Sequence, residues 1–106
     1  LKLLHSLYEK RDIPHPAVVV DTNHCNSGKK YKEQLRIAHE VMHDRKYSEE
    51  LAHFVKGLMV ESYLLEGSAK VEEHILGKSI TDACIGWEDT LRLISTIYEY
   101  QAQTKY

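Results

Sequence analysis

Ala17-Val18-Val19-Val20, with the polar segment 21–28 directly after it, sets the architecture of this 106-residue chain. Four apolar residues in a row, three of them β-branched, predict a short strand that is buried on both faces, as in a parallel sheet. The polar segment is rich in turn-forming residues and is predicted to be the loop at the carboxyl end of that strand. Within it, Asn26 or Ser27 is expected to cap the next helix by accepting a backbone N–H hydrogen bond.

A helix and a second strand complete one parallel unit downstream. Apolar side chains at helical spacing predict a helix from Lys29 to about Arg45. Its apolar stripe comprises Tyr31, Leu35, Ala38, Val41 and Met42. The short apolar run from Gly57 to Val60, ended by Glu61, predicts a second buried strand. A strand, a crossover helix and a parallel strand make one βαβ unit.

Further helices are predicted on both sides of this unit. Leu1, Leu4 and Tyr8 recur at helical spacing and indicate the end of an amphipathic helix, before two prolines stop it. Residues 51–54 are expected to form a short helical turn, and residues 66–79 a long excursion shaped as a hairpin or a lid. The last helix follows Trp87 and is expected to end in a fraying tail over residues 101–106. Its predicted apolar face comprises Leu91, Ile94, Ile97 and Tyr98.

Composition narrows the class of protein. Apolar residues make up 42% and charged residues 28%, a balance typical of a globular protein. The formal net charge is -2, which disfavours nucleic-acid binding. No run of the sequence approaches the roughly 18 apolar residues of a membrane span. The two cysteines, Cys25 and Cys84, are too few for a disulfide framework and predict reduced thiols in a cytoplasmic protein.

Two strands make a poor parallel sheet on their own, because their apolar faces and ladder edges need neighbours. The predicted fold class is therefore α/β, with residues 1–106 forming a slice of one larger domain that supplies about two parallel strands and flanking helices. The first residue is Leu1 rather than Met, which suggests a processed or excised piece. Uncovered apolar strands also predict association into a homo-oligomer, through swapped strands or helices.

Three polar residues fall where parallel α/β folds place their active sites. His24 lies just past the first predicted strand, Glu61 ends the second, and Asp82 follows the excursion. In α/β barrels, chemistry gathers at the carboxyl ends of the strands. One imidazole and two carboxylates form a plausible ligand set for a divalent metal. A structural interpretation stays open, in which these are a strand-end histidine, a surface glutamate and a helix-capping aspartate.

A competing motif occurs in the predicted crossover helix. His39-Glu40-Val41-Met42-His43 fits the H-E-x-x-H pattern, in which two histidines one turn apart hold zinc and the glutamate acts as a base. Glu61 could be imagined as a third ligand. The chain has seven histidines, so a pair four residues apart is unsurprising. The alternative interpretation is a partly buried pair that packs the helix.

Three longer segments resemble one known family. Residues 77–90, Gly-Lys-Ser-Ile-Thr-Asp-Ala-Cys-Ile-Gly-Trp-Glu-Asp-Thr, look like the C-terminal signature of class I 3-deoxy-D-arabino-heptulosonate-7-phosphate (DAHP) synthases. Residues 57–62, with Leu64-x-Glu66-Gly67 after them, are similar to the family's preceding strand and loop. Asp21-x-x-His24-x-Asn26-Ser27-x-Lys29 resembles its Asp-x-Ser-His-x-Asn-Ser-x-Lys element. The three segments occur in the family's order and at compatible spacing.

The resemblance implies a fold, an activity and a metal. The family is a metal-dependent (β/α)8 TIM barrel that joins phosphoenolpyruvate to erythrose 4-phosphate, the first step of the shikimate pathway to aromatic amino acids. Its metal is held by a Cys, a His, a Glu and an Asp. The matching positions here are His24, Glu61 and Asp82, with Mn²⁺ or a similar divalent ion expected. By this resemblance, the 106 residues would contain the last two strands of the barrel and the helices around them.

Parts of the family pattern are missing or altered. A barrel of this kind needs roughly 250 residues. The family's Gly-Pro-Cys-Ser segment, which donates the Cys ligand, and its Lys-Pro-Arg-Thr segment, which helps to bind the substrates, do not occur in these 106 residues. Asn23 stands where the family usually has Ser, and Tyr63 where it often has His. We therefore expect a C-terminal fragment without synthase activity of its own. A non-catalytic module that binds a metal or a partner is the alternative.

Overall fold

The protein is described by a computed structural model that covers residues 1–106. The chain alternates helices with four short strands and one turn of 3-10 helix at Val71–Glu73. The helices are α1 (Lys2–Lys10), α2 (His24–Ser27), α3 (Glu33–Tyr47), α4 (Glu49–Phe54) and α5 (Trp87–Gln103). The strands are β1 (Val18–Asp21), β2 (Val55–Met59), β3 (Leu65–Ser68) and β4 (Lys78–Ser79). None of the helices combines the length and the apolar character that crossing a lipid bilayer requires.

The predicted βαβ unit is confirmed. Strands β1 and β2 pair in parallel, and the register runs from Val18 opposite Val55 to Asp21 opposite Met59. Helix α3 crosses from the end of one strand towards the start of the other. Because the strands are parallel, their carboxyl ends meet at one edge of the sheet, and the residues that follow them become neighbours.

One side of the sheet carries the apolar core. The larger cluster combines α3, α4 and β2, and Tyr8 of α1 and Val18 and Val20 of β1 pack against it. Its buried members are Ile37, Val41, Leu51, Phe54 and Val55. A second cluster joins α3 to α5 through three buried side chains, Ala38, Ile85 and Leu93. Each fully buried large side chain stabilises the fold by about 1.5–3 kcal/mol. Because α3 contributes side chains to both clusters, it is held in place from two sides.

The expectation that the strands are buried on both faces is wrong for this chain. Val18 and Val20 point towards α3, whereas Val19 points away from it and is 64% exposed. Met59 of β2 is also exposed. Successive side chains of a strand alternate between the two faces, and this chain places helices against only one of them.

The polar segment after β1 also differs from its prediction. It forms the short helix α2, and α3 begins at Glu33 rather than at Lys29. Neither predicted residue caps α3, because the Asn26 amide donates to the Asp21 carbonyl and the Ser27 hydroxyl donates to the Asn23 side chain. Gly28 and Lys29 both adopt positive φ angles, a left-handed turn that no continuous helix accommodates.

Other flanking predictions have mixed outcomes. Helices α1 and α4 confirm the predicted helical segments, and α5 runs to Gln103, past the predicted start of a frayed tail. Segment 66–79 is not a hairpin, because β3 and β4 pair in parallel. The predicted apolar face of α5 is present but mostly not buried, since Leu91, Ile94 and Tyr98 are exposed. The packed face instead carries Leu93, with Ile97 beside it.

Candidate metal centre

Three side chains converge at the carboxyl edge of the β1–β2 pair. His24 opens α2 directly after β1, Glu61 follows the end of β2, and Asp82 lies between β4 and α5. The Nε2 atom of His24 lies 2.8 Å from Asp82 Oδ2 and 3.0 Å from Glu61 Oε1. All three ligand atoms lie within 4.8 Å of one another. The structure therefore brings together the three residues that the sequence singled out.

The orientation of the His24 ring is set by Asp21, the last residue of β1. Asp21 Oδ2 lies 2.7 Å from His24 Nδ1, so this nitrogen carries a proton and Nε2 faces the other two carboxylates. The hydrogen bonds to Asp21 and Asp82 raise the pKa of His24. Burial acts to raise the pKa of Asp21, but the backbone N–H of Asn23 and the neighbouring His24 outweigh it and leave that pKa lowered. Asp21 therefore stays a carboxylate.

Asn23 links the loop after β1 to the other two segments of the site. It is 3% exposed, and its side-chain amide donates to Glu61 Oε1 at 3.3 Å and to the Ala83 carbonyl at 3.2 Å. Its side-chain oxygen accepts from the Ser27 hydroxyl at 2.9 Å. One buried amide thus ties the Glu61 carboxylate to the loop that carries Asp82.

The donor set fits a divalent cation. One imidazole nitrogen and two carboxylate oxygens suit ions such as Mn²⁺, Zn²⁺ or Fe²⁺. In the structure both ring nitrogens of His24 face carboxylates, which is the arrangement of an imidazolium ion. A metal would take the place of the proton on Nε2, so that binding of the ion releases that proton.

Neither cysteine belongs to this group. Burial is the largest cause of a raised pKa at Cys84, so this residue stays a thiol, and its S–H donates to the Asp82 carbonyl at 3.4 Å. Cys25 is exposed and lies next to His24 in the chain, outside the cluster of ligand atoms. Both cysteines are free.

The H-E-x-x-H segment of α3 forms no comparable group. His39 accepts or donates a 2.9 Å hydrogen bond with the Tyr100 hydroxyl, and Glu40 pairs with Arg36. Glu61, imagined as a third ligand, lies instead against His24. The alternative of a pair that packs the helix holds for His39, whose ring lies edge-on to that of Tyr100 in α5 with centroids 5.0 Å apart, but both histidines are exposed rather than partly buried.

Sequence reasoning missed the side chains that support this site. Asp21, Asn23 and the buried Gln34 were not singled out as functional residues. A signal existed for Asp21, since a metal-binding histidine usually donates its other ring N–H to a carboxylate or a carbonyl, and Asp21 is a carboxylate close to His24 in the sequence. The contacts that tie Asn23 and Gln34 to Glu61 and Ala83 span 27 or more residues of the chain, so no local pattern could reveal them.

A parallel βαβ unit with an imidazole and two carboxylates at its carboxyl edge defines a class: α/β proteins with a donor set for a divalent cation at their strand ends. Within that class, the chain belongs to the family described as the DAHP synthetase I family, whose model matches residues 3–95.

Individual relatives agree with this family. The chain is 41% identical over 88 residues to a phospho-2-dehydro-3-deoxyheptonate aldolase of Haemophilus influenzae, covering 80% of this chain and 23% of the relative. It is 42% identical over 80 residues to the Phe-sensitive enzyme of that name from Escherichia coli, covering 73% of this chain and 22% of the relative. It thus spans less than a quarter of the length of these curated relatives.

A solved structure is similar in fold. The structure of phospho-2-dehydro-3-deoxyheptonate aldolase from Francisella tularensis superposes on this chain with a TM-score of 0.75 at 26% sequence identity. The match covers 85% of this chain and 26% of that one. The arrangement of helices and short parallel strands therefore occurs within a larger protein of the same family.

Proposed function

We propose that this chain supplies the C-terminal part of a DAHP synthase, the transferase that condenses phosphoenolpyruvate with erythrose 4-phosphate in the first step of the shikimate pathway. The observation that carries the proposal is the convergence of His24, Glu61 and Asp82 within 4.8 Å at the ends of two parallel strands. Membership of the family supports the same reaction. Free cysteines support a cytoplasmic setting.

The proposed metal ligands are His24 Nε2, Glu61 Oε1 and Asp82 Oδ2, and Mn²⁺ is the proposed ion. When bound, such an ion polarises a carbonyl oxygen or activates a water molecule. Asp21 holds the proton on Nδ1 of His24, which leaves Nε2 free to act as a ligand. Asn23 holds the Glu61 carboxylate towards the same point.

We propose that residues 1–106 form the last part of one (β/α)8 barrel domain. The parallel register of β1 and β2 and the exposed Val19 on the face away from the helices support this arrangement. In a closed barrel that face would be covered by side chains from the other strands. The segments expected to carry the Cys ligand and to bind the substrates are not among these residues, so the isolated chain should form no product from the two substrates.

A homo-oligomer is also proposed. Helix α5 exposes a stripe of large apolar side chains at helical spacing, which comprises Trp87, Leu91, Ile94 and Tyr98. Contiguous exposed apolar surface of this kind marks a protein–protein contact. Sedimentation across the micromolar range tests the proposal, and a monomer at every concentration would contradict it.

Titration of the pure chain with Mn²⁺ tests the metal centre. Electron paramagnetic resonance measures the concentration of free Mn²⁺ at each step of the titration. Binding by the wild-type chain should disappear in Glu61→Ala. It should persist in Glu72→Ala, a matched control because Glu72 is an exposed glutamate in the 3-10 turn. Equal binding by both variants, or none by the wild type, would contradict the proposed ligands.

A further inference from the structure

Gln34 is a polar residue buried where the sequence predicts an apolar helix face. It lies in the first turn of α3, and its side chain is 0% exposed. The side chain reaches the residues that follow β1 and β2, where it contacts Thr22 and the main chain of Glu61. A buried amide is costly to desolvate unless its donors and acceptors find partners.

The Gln34 amide joins the ends of both strands. Its Oε1 accepts from the backbone N–H of Glu61 at 2.8 Å and from the Thr22 hydroxyl at 2.9 Å. Its Nε2 donates to the backbone carbonyl of Glu61 at 2.9 Å. The Thr22 hydroxyl also lies 3.0 Å from the Met59 carbonyl, which places it between the two strands.

These contacts continue the strand pairing past its last ladder position. The register of β1 and β2 ends with Asp21 opposite Met59, two residues before Glu61. Beyond that point, one side-chain amide pairs with both main-chain groups of Glu61 in the manner of a neighbouring strand, and the backbone N–H of Ile85 donates to the same Glu61 carbonyl at 3.1 Å. Pairing both groups fixes the peptide planes on each side of the Glu61 Cα atom. The direction of the Glu61 Cα–Cβ bond, from which the side chain extends towards His24, is thereby fixed as well.

We propose that Gln34 is a positioning residue of the metal centre, whose amide holds the main chain of Glu61 so that its carboxylate meets His24 and Asp82. The inference rests on the proposed function of that site as a metal centre. Only an amide offers a donor and an acceptor side by side at this position, so neither an apolar residue nor a carboxylate of similar size replaces it. Substitution of a residue that hydrogen-bonds to a metal ligand typically lowers metal affinity by about 10–100-fold.

Two variants and one control separate positioning from a general loss of stability. Gln34→Met keeps the length of the side chain and removes all three hydrogen bonds. Thr22→Val leaves the amide in place and removes the hydroxyl that braces it, which also contacts the Met59 carbonyl. Ser48→Ala is the control, because it removes the N-cap of α4, where the Ser48 hydroxyl accepts from the Leu51 N–H, and so destabilises the fold away from the site.

Mn²⁺ affinity is the first measurement. Gln34→Met should weaken binding by about 10–100-fold, and Thr22→Val by about two- to tenfold, the equivalent of one hydrogen bond. Ser48→Ala should bind like the wild type while unfolding at lower denaturant concentration. If Gln34→Met fails to fold, Thr22→Val decides the question. Wild-type affinity in the variants, or an equal loss in Ser48→Ala, would overturn the proposal.

Amide hydrogen exchange without metal is the second measurement, and it separates this inference from the proposed function. Exchange at Glu61 should accelerate more in the variants than exchange at Val20 and Leu58, which lie within the paired strands. A wild-type chain that binds no Mn²⁺ would contradict the metal centre itself. The positioning of Glu61 would then be supported by selective acceleration at Glu61, and overturned by uniform acceleration or by none.

Discussion

Two clusters of one histidine and two carboxylates occur in this chain, and they differ in what surrounds them. The first is the candidate metal centre at the strand ends, formed by His24, Glu61 and Asp82. The second lies between α1 and α4, where His5 Nδ1 is 3.0 Å from Glu50 and 3.8 Å from Glu9. By the proximity of ligand atoms alone the two are equivalent.

Their supporting contacts separate them. Asp21 occupies Nδ1 of His24, so the ring presents Nε2 to both remaining carboxylates, and Asn23 holds one of these in place. At the second cluster the same Nδ1 atom of His5 faces both glutamates, whose side chains are 66% and 48% exposed. The His5 ring packs edge-on against Phe54 with centroids 4.9 Å apart. Both clusters bring ligand atoms close together, but only at the first do hydrogen bonds from neighbouring residues orient the ligands, as in metal sites.

The largest expected effect comes from removing one histidine from each cluster. His24→Ala should weaken Mn²⁺ binding by more than about 100-fold. Substitution of a residue that only hydrogen-bonds to a metal ligand already lowers metal affinity by about 10–100-fold, and His24 is proposed as a ligand itself. His5→Ala should leave the affinity within about twofold, since no hydrogen-bonded partner occupies the other ring nitrogen of His5 or holds the two exposed glutamates in place. Calorimetric titration of both variants measures the difference, and comparable losses would break the distinction between the clusters.

The next effect concerns the residue that orients the ring. Asp21→Asn keeps the size of the side chain but removes the charge that holds a proton on His24 Nδ1. We expect Mn²⁺ affinity to fall by about 10–100-fold. Glu9→Gln makes the same chemical change beside His5 and serves as the matched control. An affinity unchanged in Asp21→Asn would show that Asp21 does not support the metal site.

A smaller effect concerns pH. The hydrogen bonds to Asp21 and Asp82 raise the pKa of His24, and the proton on Nε2 competes with a metal. Mn²⁺ affinity should therefore fall as the pH is lowered through this raised pKa, by about tenfold per pH unit below it. The decline should begin at a higher pH than the value of about 6.5 for a free histidine would give. Titrations between pH 5.5 and 8.5 follow it, and an affinity that is flat over that range would argue against His24 as a ligand.

The smallest effect is on stability at the second cluster. His5→Ala removes the edge-on contact with Phe54, and such aromatic contacts contribute about 0.5–1.5 kcal/mol. We expect the free energy of unfolding to fall by about 1 kcal/mol. Urea denaturation without metal measures this loss. Stabilisation of the wild type by Mn²⁺ that disappears in His5→Ala would instead assign a binding role to the second cluster.

The sequence predicts the parallel unit because its signals are local. Short apolar runs predict β1 and β2, and helical spacing predicts α3 between them. Parallel pairing then places His24 and Glu61 at one edge, and Asp82 reaches the same edge from the loop before α5. The predicted start of α3 at Lys29 is wrong because Gly28 and Lys29 adopt left-handed backbone angles, which composition alone does not reveal. The helix begins at Glu33 instead.

What the sequence could not show depends on distant partners. The burial of Val19 depends on a second layer that this chain does not supply. Gln34 lies in a helix whose sequence pattern indicates only packing against the core. Its contact with the main chain of Glu61, 27 residues away, becomes visible only in the folded chain. The second cluster joins His5 to Glu50 across two helices, a contact that no spacing rule predicts. Tertiary contacts rather than propensities decide these cases.

Paramagnetic relaxation by Mn²⁺ tests the distinction between the two clusters most directly. In a ¹⁵N-labelled chain, substoichiometric Mn²⁺ should broaden the amide signals of His24, Glu61 and Asp82 first. The signals of His5, Glu9 and Glu50 should stay sharp under the same conditions. Broadening that begins at His5 and its neighbours, or that reaches both clusters together, would contradict a metal centre defined by its supporting contacts.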